Sequence, residues 1–154
     1  MRKSLLLLCL VACLSAFAAV EPVQPQTLSL QRGWNLVTLE GPIIVESVQP
    51  LLKLKPFRLD TASQTLVRCT STADLQPGVG LWVFSPKVQT IVLVLDVTQS
   101  HWPTPSLMPG WNLIGFLDTS WISEASQVFQ WNNGSFAEIA KNKLVIGTTY
   151  SVKK

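Results

Sequence analysis

The 154-residue chain carries 12 Lys and Arg against 9 Asp and Glu, a formal net charge of +3. Two of the basic residues, Arg2 and Lys3, open an N-terminal leader, so the rest balances at 10 to 9 and keeps no basic stripe to grip a phosphate backbone. Nucleic acid is therefore excluded as an expected partner. A single His, with Cys69 the one cysteine beyond the leader, excludes an internal disulfide and any zinc site of ordinary spacing.

The leader is the first element. Arg2 and Lys3 precede an apolar run over residues 5–14, and Ala16-Phe17-Ala18 fits the small-x-small rule of a cleavage site. A run of about 10 residues is too short for a bilayer core, which needs roughly 20. Residues 1–18 are expected to be a signal peptide, with a secreted, periplasmic or cell-surface chain starting near Ala19. A second reading stays open. Leu10-Val11-Ala12-Cys13 has the form of a lipobox, which would place a lipid on Cys13 and anchor the chain; against it, that leader would be short and residues 14–20 remain apolar. About 135 residues follow the leader, enough for one compact domain without disulfide staples.

Residues 34–39 follow a Gly turn and read as a strand. Residues 45–54 suit one or two helical turns, with Pro50 tolerated only near the start. Pro77-Gly78 suits a type II turn into a strand over 80–84. Ser85-Pro86-Lys87 is a turn before residues 91–95, an unbroken β-branched and leucine run. That run is expected to be buried on both faces and to stitch together what precedes and follows it. Residues 99–105 read as a linker. A short helix is expected over 123–128. Asn132-Asn133-Gly134-Ser135 between aromatic segments reads as a hairpin, because Asn-Gly supplies the positive φ of a primed turn. The same residues, Asn133-Gly134-Ser135, match a glycosylation sequon that the hairpin explains without sugar.

The second half repeats the first. Gly33-Trp34-Asn35-Leu36 recurs as Gly110-Trp111-Asn112-Leu113, an offset of 77 (33 to 110). Residues 57–60 match 129–132 at an offset of 72 (57 to 129), and 75–83 match 144–152 at 69 (75 to 144). The extra length of the first copy falls near residues 50–55 and 69–74, which suits surface loops. The chain is accordingly read as all-β with minor helix: a first repeat with its linking strand (19–100), then the linker and a shorter second repeat (101–154). The two are expected to pack about an approximate two-fold as a sandwich or barrel with one shared core.

The order Gly-Trp-Asn-Leu, aromatic hairpin, then Leu-x-Pro-Gly-x-Gly-(aromatic)-Trp-Val resembles a β module scattered through bacterial secreted and surface proteins. The resemblance covers most of residues 27–154. The second copy departs from it, with Tyr150-Ser151 where an aromatic-Trp pair belongs. It implies location and architecture and brings no enzymatic activity.

Chemistry-bearing patterns are scarce. His101 stands in the linker, and no Gly-x-Ser-x-Gly elbow accompanies it. Glu40, Asp60, Asp74, Asp96, Asp118 and Glu124 are scattered as turn and surface residues. No cofactor or metal is expected, and the chain is not read as an enzyme. Cys69 is expected to be a buried hydrophobe. The six tryptophans divide by position. Trp34 and Trp111 occupy equivalent places and are expected in the core of each copy, as are Trp82 and Trp131 on their strands. Trp102 and Trp121 have no counterpart in the other copy, and stand as packing residues or as the candidate contact surface. The expected function is contact with an envelope or extracellular protein or polysaccharide. A module stacking loop tryptophans on sugar is the alternative, and a hydrolase built on scattered carboxylates a third.

Overall fold

The computed structural model describes residues 23–98, 106–115, 120–132, 134–145 and 147–154. The leader and Cys13, His101, Trp102, Asp118 and Asn133 lie outside the described residues. The architecture is all-β with one short helix, in three antiparallel sheets.

The first repeat contributes β2 (Gly33–Thr38), β3 (Phe57–Asp60), β4 (Thr65–Arg68) and β5 (Gly80–Ser85). They join as one sheet in the order β2-β5-β3-β4. The second contributes β7 (Trp111–Gly115), β8 (Gln127–Asn132), β9 (Ser135–Glu138) and β10 (Thr149–Lys153), in the matching order β7-β10-β8-β9. The registers match too: Asn35 pairs Val83 as Asn112 pairs Val152, and Phe57 pairs Trp82 as Phe129 pairs Ser151.

Local signals explain these elements. Gly33 and Gly110 sit at φ 105° and 95°, where an L side chain is strained. Gly78 at φ 74° closes the type II turn, with Val79 N–H donating to Gln76 C=O. Asn132 pairs Ser135 across the hairpin, with Gly134 at φ 117°. A 3₁₀ turn (Val45–Val48) runs into α1 (Gln49–Lys53), with Pro50 in its first turn, where the missing N–H is harmless. The helix expected near 123–128 is replaced by a turn over 121–124 and the start of β8.

Residues 91–95 belong to β6 (Gln89–Asp96), and two expectations about it fail. It pairs with β1 (Val23–Leu30), a strand not read from the sequence, and so does not stitch the repeats together. Its burial alternates, with Ile91, Leu93 and Leu95 inside and Val92 exposed. The β1–β6 ribbon lays Leu28, Leu30, Ile91 and Leu93 on Leu39, Leu81, Val83 and Cys69 of the first repeat.

The single shared core is also corrected. The second repeat has its own buried cluster of Leu107, Ile114, Trp121, Ala125, Val128, Tyr150 and Val152. Among the described residues no ribbon covers it; the turn carrying Trp121 does. Each sheet thus buries one face in its own core and turns the other toward its counterpart.

Candidate functional site: an aromatic cleft between the repeats

The Gly-Trp-Asn-Leu motif is a device for aiming a tryptophan away from its own core. Asn35 faces inward, where its Oδ1 accepts from Gln31 N–H at 2.8 Å and its Nδ2 donates to the carbonyls of Gln31 and Gly33 at 2.9 and 3.0 Å. Asn112 repeats the set on Met108 and Gly110 at 2.9, 2.8 and 3.1 Å. With the amide inside, strand alternation sends the preceding Trp to the opposite face. Trp34 is 49% exposed and Trp111 39%, so neither lies in the core as expected. The motif positions are otherwise structural: Leu36 and Leu113 follow on the cleft face.

Trp121 is the converse correction. It is 2% exposed and packs against Ile114, Val128, Tyr150 and Val152, which removes it from any contact surface. It lacks a counterpart in the first repeat because a whole ribbon does that work there. Cys69 is buried as expected, and burial pushes its thiol up to about 11, with the Asp74 carboxylate adding to the rise. Asp74 itself lies below its ordinary value, because the backbone N–H groups of Thr70 and Ser71 donate to it at 2.8 and 3.0 Å.

Between the sheets, alternate residues of both repeats meet. In the first, Trp34 lies against Phe57 (6.3 Å, 59°), Trp82 (6.2 Å, 89°) and Phe84 (5.4 Å, 70°). In the second, Trp111 lies against Phe129 (5.5 Å, 58°), and the Lys153 ammonium sits 5.8 Å from its ring, in the place of Phe84. Across the gap, Trp82 meets Trp131 edge-on at 4.7 Å and Phe136 at 5.9 Å, favourable geometries for ring quadrupoles. Trp82 and Trp131 therefore join the repeats rather than fill either core.

Two backbone clasps accompany the rings. Trp131 Nε1 donates to Trp34 C=O at 3.2 Å. On the other side Gln64 Nε2 donates to Trp111 C=O at 3.0 Å, and Gln64 Oε1 accepts from Trp111 N–H at 2.7 Å. Gln64 is aimed by the β3–β4 turn, where it adopts φ 56°. Asp60 braces that turn, accepting from Ser63 Oγ at 2.8 Å and Ala62 N–H at 3.2 Å, and these bonds hold its carboxyl below the ordinary range.

Beside the Trp82–Trp131 contact the sheets part into an open cleft of about 500 Å³. Its walls are Leu59, Leu66, Trp82, Trp111, Leu113, Phe129 and Phe136, with Gln64 and Ser151 as the polar members. Such a volume and such walls are typical of ligand sites. Among the described residues no group of three His, Cys, Asp or Glu is placed to hold a metal. Of the cleft's residues, Trp82 and Trp111 were singled out in the sequence as core and Leu113 as a repeat position. Ser151 was noted only as a departure from the motif, and Gln64 and Leu66 were not singled out, since only pairing across the gap marks them.

No protein-family model, no curated protein and no solved structure matches the chain.

Proposed function

We propose that the chain is an exported, non-catalytic binding protein that engages another macromolecule of the envelope or extracellular space through the cleft between its repeats. The observation that carries this reading is the concentration of exposed rings and aliphatic side chains at one opening, with Trp111, Phe136 and Leu66 on its rim. Apolar area left open at a concave site is a usual mark of recognition. Export rests on the leader, and the resemblance to modules of bacterial secreted and surface proteins supports the same location. A polysaccharide is the second reading, favoured by the half-exposed faces of Trp34 and Trp111. The few polar groups at the cleft weigh against it, because sugar hydroxyls need partners.

A photo-crosslinking side chain placed at Leu66, with Val88 on the first repeat's outer turn as control, tests the site in cells. Adducts to one macromolecule from position 66 and none from 88 are the expected outcome; equal labelling from both positions would discard the cleft. N-terminal sequencing tests export. A start near Ala19 is expected, a lipidated Cys13 would replace secretion with anchoring, and an intact Met1 in the cytoplasm would end the proposal.

A further inference from the structure

The two repeats are related by an approximate two-fold, and the cleft is where that symmetry fails. Two contacts mark the axis. Thr38 meets Gly115, its own equivalent at an offset of 77 (38 to 115), and Gly80 meets Thr149, its equivalent at 69 (80 to 149). Only near a two-fold does a residue touch its own counterpart.

Rotation about this axis carries Trp82 onto Ser151, Trp131 onto Leu59 and Phe136 onto Leu66, by the matching registers of the two sheets. The first three form a mutual aromatic cluster, with Trp131 and Phe136 at 5.2 Å and both against Trp82. Their images all line the 500 Å³ cleft. Where one side of the axis is filled by two indoles and a phenyl ring, the other offers a hydroxyl and two isobutyl groups. The exchange of Trp82 for Ser151 removes a whole indole from the floor. Strand alternation fixes the Ser151 side chain on the cleft face, because Tyr150 and Val152 both enter the second core. Its hydroxyl has no hydrogen-bond partner among the described residues. Trp111 C=O, the image of the Trp34 C=O that accepts from Trp131, is already bound by Gln64. Ser151 is thus the polar group left to meet a ligand.

We propose that the cleft receives one flat, indole-sized aromatic group, seated between Leu59, Leu66 and Trp111 with a donor on Ser151 Oγ. This rests on the cleft being the binding site and goes further in naming what enters it. The protein's own rings, on the other side of the axis, show how such a group packs in these walls. The group arrives as a tryptophan side chain of a polypeptide, the macromolecular contact proposed above.

The test follows the methyl resonances of Leu59, Leu66 and Leu113 in the full mature chain. Indole, N-acetyl-tryptophanamide and dodecanoate are titrated separately. Saturable shifts with an indole compound are expected. Tighter binding of the amide than of free indole is expected for a polypeptide side chain, and the reverse order would overturn the polypeptide as occupant. Ser151→Trp combined with Leu59→Trp should fill the cleft and abolish the shifts. Should that variant not fold, Ser151→Ala removes only the hydroxyl, and is expected to weaken indole binding about tenfold. Shifts with dodecanoate but not with either indole would overturn the aromatic proposal while leaving the cleft as the site. No shift with any of the three would remove both. Undiminished indole binding in Ser151→Ala would show the pose to be wrong.

Discussion

Gln64 closes on the backbone of Trp111 from both sides, its amide oxygen taking the N–H and its amide nitrogen reaching the C=O. The side chain acts as a one-residue strand that pairs the first repeat to the edge of the second. It does so from φ 56°, a conformation that costs a non-glycine residue about 1–2 kcal/mol. Gln64→Ala keeps that cost and loses both bonds, so a destabilisation of about 1–3 kcal/mol is expected. Gln64→Gly loses the same bonds but relieves the backbone, as Gly134 does in the equivalent turn, and should melt between wild type and Gln64→Ala. Chemical denaturation of the three proteins checks the order.

The contacts on the two-fold axis make a second prediction. A Cβ on Gly115 would lie 2.6 Å from Thr38 Cγ2, and one on Gly80 would lie 2.6 Å from Thr149 Cγ2. Each pair therefore holds one threonine and no second side chain. Gly115→Ala should cost about 1–3 kcal/mol through overpacking. Moving the threonine across the axis, by Thr38→Gly with Gly115→Thr, should recover most of that loss. A double variant no more stable than the sum of its parts would show that the two positions do not face each other.

The tryptophans order differently from their motif. Trp121→Ala opens a cavity among Ile114, Tyr150 and Val152 and should cost about 3–5 kcal/mol. Trp34→Ala and Trp111→Ala remove half-exposed rings and should cost about 1–2 kcal/mol. Melting temperatures of the three variants decide it. A Trp34→Ala protein less stable than Trp121→Ala would place the ring of residue 34 inside after all.

The reason for that inversion shows how far the sequence could be read. Spacing alone identified the repeat, its strand equivalences, the Gly78 turn and the hairpin at Asn132, because those depend on local backbone conformation. The face each side chain takes does not. Trp next to Asn is ambiguous until one knows that the Asn35 amide is needed inside to bind Gln31 and Gly33, and only then does alternation turn Trp34 out. The cleft was half legible. Ser151 in the place of an expected tryptophan could be seen by aligning the copies, but its meaning requires Leu59 opposite it across the gap. Trp121 was misread because its structural equivalent is the β1–β6 ribbon, which no alignment of the repeats contains.

Cys69 and Asp74 give the fold a pH dependence at both ends. The folded thiol titrates near 11 against an ordinary 9.0, so the unfolded chain loses its proton first. Its contribution is intact below pH 9 and stability declines as pH rises from there toward 11. Asp74 is lowered in the fold, so what it contributes is present above its ordinary value of 3.8 and is lost as pH falls through the lowered one. Cys69→Ala should flatten the alkaline decline in urea midpoints. Asp74→Asn should flatten the acid side and lower the thiol titration, because the carboxylate is the second cause of its rise. Thiol labelling at neutral pH should proceed no faster than opening of the fold.

Separate cores make the repeats separable. A fragment of residues 19–98 keeps the whole first cluster, from Leu28 in β1 to Leu93 in β6, and loses from its pairing the single Val79–Ile114 bridge to β7. It should unfold cooperatively on its own. A fragment of residues 106–154 keeps Trp121 and its neighbours but spans only about 50 residues, near the lower limit for an unaided domain. It should be partly folded alone and gain structure when the first fragment is added, because Gln64, Trp82 and the Trp34 carbonyl supply its missing contacts. Circular dichroism of the mixture, compared with the sum of the separate spectra, reads this directly. Gln64→Ala in the first fragment should weaken the reconstitution. If residues 19–98 stay unfolded until the second fragment arrives, the two clusters are one cooperative unit and the face between the repeats is a core rather than a binding cleft.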